Sequence, residues 1–164
     1  MDIAAGNGVS GEALAAAGLR PVLGSDIVPA ARAAALRDRP GLYDRYLTLD
    51  LLALSDADRT LIRDMGADVL SCVAPVGEHA LPAEALAAAA ALLKPDALVA
   101  YLHDVEIAGP DPVTVQLWRE RLGAGVHAEE LIRRRYVHRR MINGAPYEME
   151  AVVWRLRRAG SQAQ

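Results

Sequence analysis

The sequence predicts an α/β fold on a doubly wound, mostly parallel sheet, and three observations carry that prediction. Five β-prone segments alternate with helical ones up to residue 103, the order that right-handed crossovers and a parallel sheet require. A glycine loop, G-x-G-x-x-G over residues 6–11, follows the first of these segments and opens a helix. The end of the chain changes character: two long β-prone runs flank Asn143-Gly144-Ala145-Pro146, a hairpin signal that adds antiparallel pairing. Five segments and a hairpin make a seven-stranded sheet with helices on both faces.

Residues 1–3 read as the end of a strand, and Gly18 is a stop for the helix after the glycine loop. Residues 21–25 (P-V-L-G-S) form the second strand and run into Asp26. Pro29 stands where a helix's first residue belongs, its missing N–H being unpaired there anyway, and Pro40-Gly41 ends that helix. Residues 46–51 are the third strand. Ser55, with Asp58 three residues on, forms a capping box for a helix that sets Leu61, Ile62 and Met65 on one face and stops at Gly66. Residues 67–74 (A-D-V-L-S-C-V-A) are the near-continuous apolar run of a strand buried on both faces. Pro82 opens an alanine-rich helix that ends at Lys94-Pro95, and residues 97–103 are the fifth strand. A Gly/Pro-rich connection over residues 108–112 leads to a short helix through Trp118 that ends near Gly123. Residues 132–142 and 147–156 are the hairpin strands. One domain over residues 1–158 and a disordered tail over residues 159–164 are expected.

The 164 residues suffice for one sizeable core, and 52% apolar with 24% charged residues is the balance of a globular domain. A net charge of -3 argues against a general nucleic-acid binder. No apolar run approaches the ~20 residues of a membrane span, and no secretory signal is visible. The lone cysteine, Cys72, cannot form an internal disulfide, which fits a reducing cytoplasm. No metal-binding constellation is read.

A glycine loop at a helix N-terminus lets backbone N–H groups approach a ligand. Asp26 lies 20 residues after Gly6, at the end of the second strand, where a carboxylate can accept both hydroxyls of a ribose. Both features also suit NAD. Three others separate the candidates. Asp2 stands four residues before Gly6, where an NAD fingerprint has apolar residues; Asp50 ends the third strand in Y-L-T-L-D-L, where an acid can accept an adenine amino group; and the chain closes with a hairpin rather than a sixth parallel strand.

With these residues the chain resembles the class I S-adenosylmethionine-dependent methyltransferases, from Asp2 to about Arg157. D-I-A-A-G-N-G is similar to that family's first motif, V-L-G-S-D-I-V-P-A-A-R to its second and Y-L-T-L-D-L to its third. A-D-V-L-S-C-V-A matches its fourth strand, and A-L-L-K-P-D-A-L-V-A-Y the helix–turn–strand that follows. The resemblance implies a seven-stranded sheet with its last strand antiparallel, S-adenosyl-L-methionine as cofactor and S-adenosyl-L-homocysteine as product. It implies that Gly6, Asn7 and Gly8 meet the methionine part, with Asp2 orienting the loop or reaching the amino acid through water. Asp26 would bind the ribose and Ile27 lie on the adenine; Asp50 would bond the adenine amino group with Leu51 beside it. Backbone at Cys72 and Val73 would face the methionine amine or sulfonium. It also implies a longer first strand and one or two helices before it, so the first strand and preceding helices read as truncated.

Plainer roles compete at several positions. Asp50 can cap the turn after it, and Asp2 can be the second residue of a tail. Cytosine-C5 methyltransferases place a nucleophilic cysteine beside a proline as P-C; here the order is S-C-V-A-P, so Cys72 reads as a core residue. The amino-methyltransferase signature [DN]-P-P-[YF] is absent. Histidine as a residue type changes charge near neutrality, which makes His79 and His103 the candidate general bases, against structural roles in which His103 bonds Asp104 and His79 caps the loop before Pro82. The arginines of R-R-R-Y-V-H-R-R, residues 133–140, read as a solvated edge offset by Glu148 and Glu150 rather than an RNA site. The expected activity is methyl transfer to a small molecule, with no nucleic-acid or membrane partner. The rivals are a non-catalytic domain that binds the cofactor or a protein partner, and an NAD-dependent oxidoreductase.

Overall fold

A computed structural model describes residues 1–77, 81–106 and 109–158. The elements alternate as β1 (Asp2–Ile3), α1 (Val9–Ala16), β2 (Leu23–Asp26), α2 (Pro29–Asp38), β3 (Arg45–Thr48), α3 (Asp56–Asp64), β4 (Val69–Val76), α4 (Ala83–Ala90), β5 (Ala97–His103), α5 (Val115–Leu122), β6 (His127–Arg140) and β7 (Pro146–Arg157). They form one seven-stranded sheet in the order β3-β2-β1-β4-β5-β7-β6. The first five strands are parallel, β7 runs antiparallel to β5, and β6 antiparallel to β7. The chain winds outward from β1 to β3, then returns to β4 on the other side of β1. The C-terminal ends of β1 and β4 therefore flank a topological switch point, where open α/β sheets hold their ligands.

Successive strand residues face opposite sides of a sheet, and the core divides accordingly. On one side Ile3, Leu23, Leu70, Val99 and Val152 pack with Ile62 of α3, Leu86 of α4 and Trp118 of α5. A smaller cluster on the other side joins Ala5, Ala35 of α2 and Tyr46, with Tyr43 against it. β5 alternates buried and half-buried along its whole length.

Several boundaries differ from the sequence reading, each for a local reason. β3 stops at Thr48 because the next residues turn: Leu49 N–H still reaches Asp26 O, but Leu52 N–H and Ala53 N–H bond back to Asp50. α4 ends at Ala90, not at Lys94, where the amides of Leu92 and Leu93 tighten onto carbonyls three residues back and Lys94 N–H pairs with Ala67 O. β2 starts two residues later than expected and includes Asp26, while both hairpin strands are longer than expected. The capping box forms as read, Ser55 and Asp58 each accepting from the other's backbone. At the hairpin, Gly144 has φ +83° and Asn143 Oδ1 accepts from Ala145 N–H. Residues 159–164, read as a disordered tail, lie outside the described residues.

Gly24 of β2 sits beneath two tyrosines. A Cβ there would lie 2.8 Å from Tyr46 Cδ2 and 3.0 Å from two carbons of the Tyr43 ring. Overpacking of this kind costs about 1–3 kcal/mol. Gly24→Ala is expected to lower unfolding stability by that amount in a urea titration; a change under about 0.5 kcal/mol would show that the tyrosines can move aside.

Candidate functional site

β1 offers only two residues to the sheet, and both are fully buried. Asp2 points into a space closed by hydroxyl groups: Oδ1 accepts from Ser71 Oγ, and Oδ2 from Ser10 Oγ and Tyr43 OH, each at 2.7 Å. Buried carboxylates are tolerated where donors satisfy their lone pairs, and here three donors come from α1, from the turn before β3 and from β4. Asp2 thus acts beneath the loop that follows it, holding the start of α1 rather than facing solvent.

Ala4–Gly8 form that loop. Ala4, Gly6 and Gly8 have φ of +50°, +56° and +90°, the left-handed region that glycine enters without strain. Gly8 is the N-cap of α1, and no side-chain hydrogen bond caps the helix. Asp26 joins the loop to β2: Oδ2 accepts from Gly6 N–H at 3.0 Å and Oδ1 from Val28 N–H at 2.9 Å. Each oxygen keeps a further lone pair. The third glycine of the motif, Gly11, serves packing, since a Cβ there would run into the Tyr43 phenol.

A cavity of about 420 Å³ opens at the C-terminal ends of β2 and β3, and its size is that of a small-molecule site. Asp26, Ile27, Asp50 and Leu51 line it, as do Ala4, Ser25, Leu49, Leu52, Ala74, Leu81, Pro82 and Ala85. The walls are apolar, with two carboxylates and one hydroxyl among them. Ser25 Oγ is buried and has no hydrogen-bond partner among the described residues. This composition fits an adenosine: apolar side chains for the base, Asp26 for vicinal hydroxyls, and Asp50 as acceptor for an exocyclic amine. Asp50 also accepts from Leu52 N–H at 2.9 Å, so the side chain that lines the cavity caps the turn after β3 as well.

The remaining candidates divide. Gly6, Asn7 and Gly8 stand beside the cavity on the loop and do not line it. The Cys72 side chain is buried in the core, and burial pushes its thiol up to about 12. The Val73 side chain is exposed. The β4–β5 register shifts between Cys72 and Pro75, so Val73 and Ala74 bulge out of the ladder at the switch point. His103 is buried, with Nε2 3.0 Å from Gly109 O and with Nδ1 lacking a hydrogen-bond partner among the described residues. Its expected bond to Asp104 is corrected: Asp104 instead accepts from the Tyr147 hydroxyl and from Glu106 N–H. His79 lies outside the described residues. Among the described residues no group of three or more acids, histidines or cysteines is arranged to hold a metal ion. On the edge strand β6, Arg133 pairs with Glu130, Glu150 and Asp111, and Arg135 with Glu148 and Glu150.

The residues not singled out in the sequence form the support beneath the loop. Besides the Tyr43 bond to Asp2, Tyr46 OH donates to Gly6 O and Arg39 bridges Asn7 O and Glu12.

No protein-family model matches the chain, and no curated protein matches it in sequence. Solved structures do. An S-adenosylmethionine-dependent methyltransferase from Anabaena variabilis superposes with a TM-score of 0.63 at 17% identity, covering 95% of this chain and 76% of that one. A TehB-like S-adenosylmethionine-dependent methyltransferase from Corynebacterium glutamicum gives 0.56 at 18% identity, over 93% of this chain and 77% of the other. A putative RNA methyltransferase from Pyrococcus horikoshii gives 0.55 at 14% identity, over 98% and 73%. The fold is thus the Rossmann-like α/β fold of class I S-adenosylmethionine-dependent methyltransferases. No helix among the described residues is long and apolar enough to cross a membrane.

Two predictions follow from this geometry. Asp2→Ala should destabilise the protein by roughly 3 kcal/mol or more, because it leaves three hydroxyl donors without their acceptor and each that stays buried costs about 1–3 kcal/mol; thermal and urea unfolding measure it, and a neutral substitution would remove Asp2 from its structural role. Cys72 should resist a thiol-labelling disulfide reagent at pH 8 until the protein is unfolded; rapid labelling of the native chain would contradict its burial.

Proposed function

We propose that this chain is an S-adenosylmethionine-dependent methyltransferase acting on a small-molecule acceptor. The observation that carries the reading is the cavity at the ends of β2 and β3, with Asp26 and Asp50 on its apolar walls, in a sheet of methyltransferase order. The antiparallel β7 beside β5 speaks against the all-parallel sheet of a classical dinucleotide-binding oxidoreductase.

The chemistry supplied by the cofactor when bound is an electrophilic methyl group on a sulfonium. The residues of this chain bind and orient. Asp26, held by two backbone amides, accepts the ribose hydroxyls. Ile27, Leu51 and Leu52 flank the adenine, and Asp50 accepts its amino group. The uncapped end of α1 attracts the carboxylate of the amino-acid part through its free amides and the helix dipole. Transfer then depends on holding the acceptor close and in line, and such positioning is worth up to ~7–11 kcal/mol. A small acceptor agrees with the net charge of -3 and with the ion pairs that neutralise Arg133 and Arg135 on β6.

Calorimetric titrations with S-adenosylmethionine, S-adenosylhomocysteine and NAD test the cofactor. Binding of the two sulfur ligands is expected, with a 10- to 100-fold loss in Asp26→Ala, the equivalent of the ~1.5–3 kcal/mol of hydrogen bonds to a charged group. Binding of NAD alone would overturn the reading. Incubation with methyl-labelled cofactor and, separately, a small-metabolite extract and total RNA tests the acceptor class; label entering RNA alone would contradict a small molecule.

A further inference from the structure

We infer that Tyr46 is a positioning residue for cofactor binding, its hydroxyl holding the Gly6 carbonyl so that the glycine loop presents the Asn7 amide outward. The inference rests on the cofactor reading above.

Packing does not hold Gly6 in place. No atom lies within 4 Å of where its Cβ would be, and its φ of +56° is one that glycine readily leaves. Two hydrogen bonds hold it instead. Its N–H donates to Asp26 at 3.0 Å, and its carbonyl accepts from Tyr46 OH at 2.6 Å. A peptide unit is planar and trans, so the carbonyl of Gly6 and the N–H of Asn7 point in opposite directions. Gripping that carbonyl from the Tyr46 side turns the Asn7 amide away from it. Asn7 is exposed, and its N–H has no acceptor among the described residues, so the amide is a free donor beside the uncapped end of α1.

Tyr46 is suited to this task because it cannot readily move. It is only 4% exposed and packs with Ala5 and Ala35. The edge of the Tyr43 ring meets it with centroids 5.4 Å apart, and Gly24 leaves room for both rings. Its backbone carbonyl accepts from Arg32 Nε at 2.9 Å, tying it to α2. Burial, with Asp26 and Asp2 nearby, holds the phenol well above its ordinary pKa, so it remains a donor throughout the physiological range.

Tyr46→Phe removes the hydroxyl and keeps the ring. In calorimetry, affinity for S-adenosylhomocysteine should fall about tenfold while affinity for adenosine, whose ribose partner Asp26 keeps its bond from Val28 N–H, falls no more than about twofold. In the ligand-free protein, amide exchange followed by NMR should quicken about tenfold at Gly6. Exchange at Leu70 and Val99 should not change, which also verifies that the variant is folded. Equal loss of both ligands, unchanged affinity for S-adenosylhomocysteine, or unchanged exchange at Gly6 would each overturn the role of Tyr46. Failure of the folded wild-type chain to bind S-adenosylhomocysteine would overturn the cofactor reading, and this inference with it.

Discussion

A carboxylate at the centre of the sheet is the constraint on which the site depends. β1 is two residues long, yet β2 and β4 both pair with it, and Asp2 is half of it. Burying a carboxylate costs several kcal/mol unless its lone pairs are satisfied. Ser10, Tyr43 and Ser71 satisfy them from three segments far apart in the chain. The same bonds seat α1 and set Tyr43 over β2. Gly11 and Gly24 follow from this, since any larger residue would collide with the tyrosines. Gly11, the third glycine of the loop motif, and Gly24 of β2 are thus space reserved for aromatic rings.

From that centre, order passes to the cavity through Asp26. Its two oxygens are oriented by Gly6 and Val28 before any ligand arrives, so binding need not pay to arrange them. The site then separates into two chemistries. An apolar cavity with carboxylates lies at the strand ends, and beside it lie the glycine loop, with an Asn7 amide unpaired among the described residues, and the end of α1 that no side chain caps. The β4 bulge at Val73 and Ala74 adjoins the cavity, which Ala74 lines.

Much of this was legible in the sequence, and what was not has physical reasons. β5 was read at its true bounds because its seven residues alternate cleanly and are fenced by Pro95 and by the Gly/Pro-rich connection. β3 was overextended because Leu49 and Leu51 continue the apolar pattern while Asp50 turns the backbone. The carboxylates at the ends of β2 and β3 stood out as acids closing apolar runs, and both line the cavity. Ser25, Leu49, Leu52 and Ala85 line it too, but in sequence they are indistinguishable from ordinary strand and helix residues. Tyr43 and Tyr46 carry no local sequence signal, because the partners of their hydroxyls lie about forty residues away. The expected His103–Asp104 pair does not form: His103 closes β5, Asp104 follows it, and each has its partner elsewhere.

The most direct test of the central claim is a crystal structure of the chain with S-adenosylhomocysteine. The expected result is the adenine between Ile27 and the Leu49–Leu52 segment, with the ribose hydroxyls on Asp26 and the amino-acid part at the Gly6–Gly8 loop. Ligand bound elsewhere on the sheet, or a loop rearranged so that Asp26 no longer meets Gly6, would contradict it.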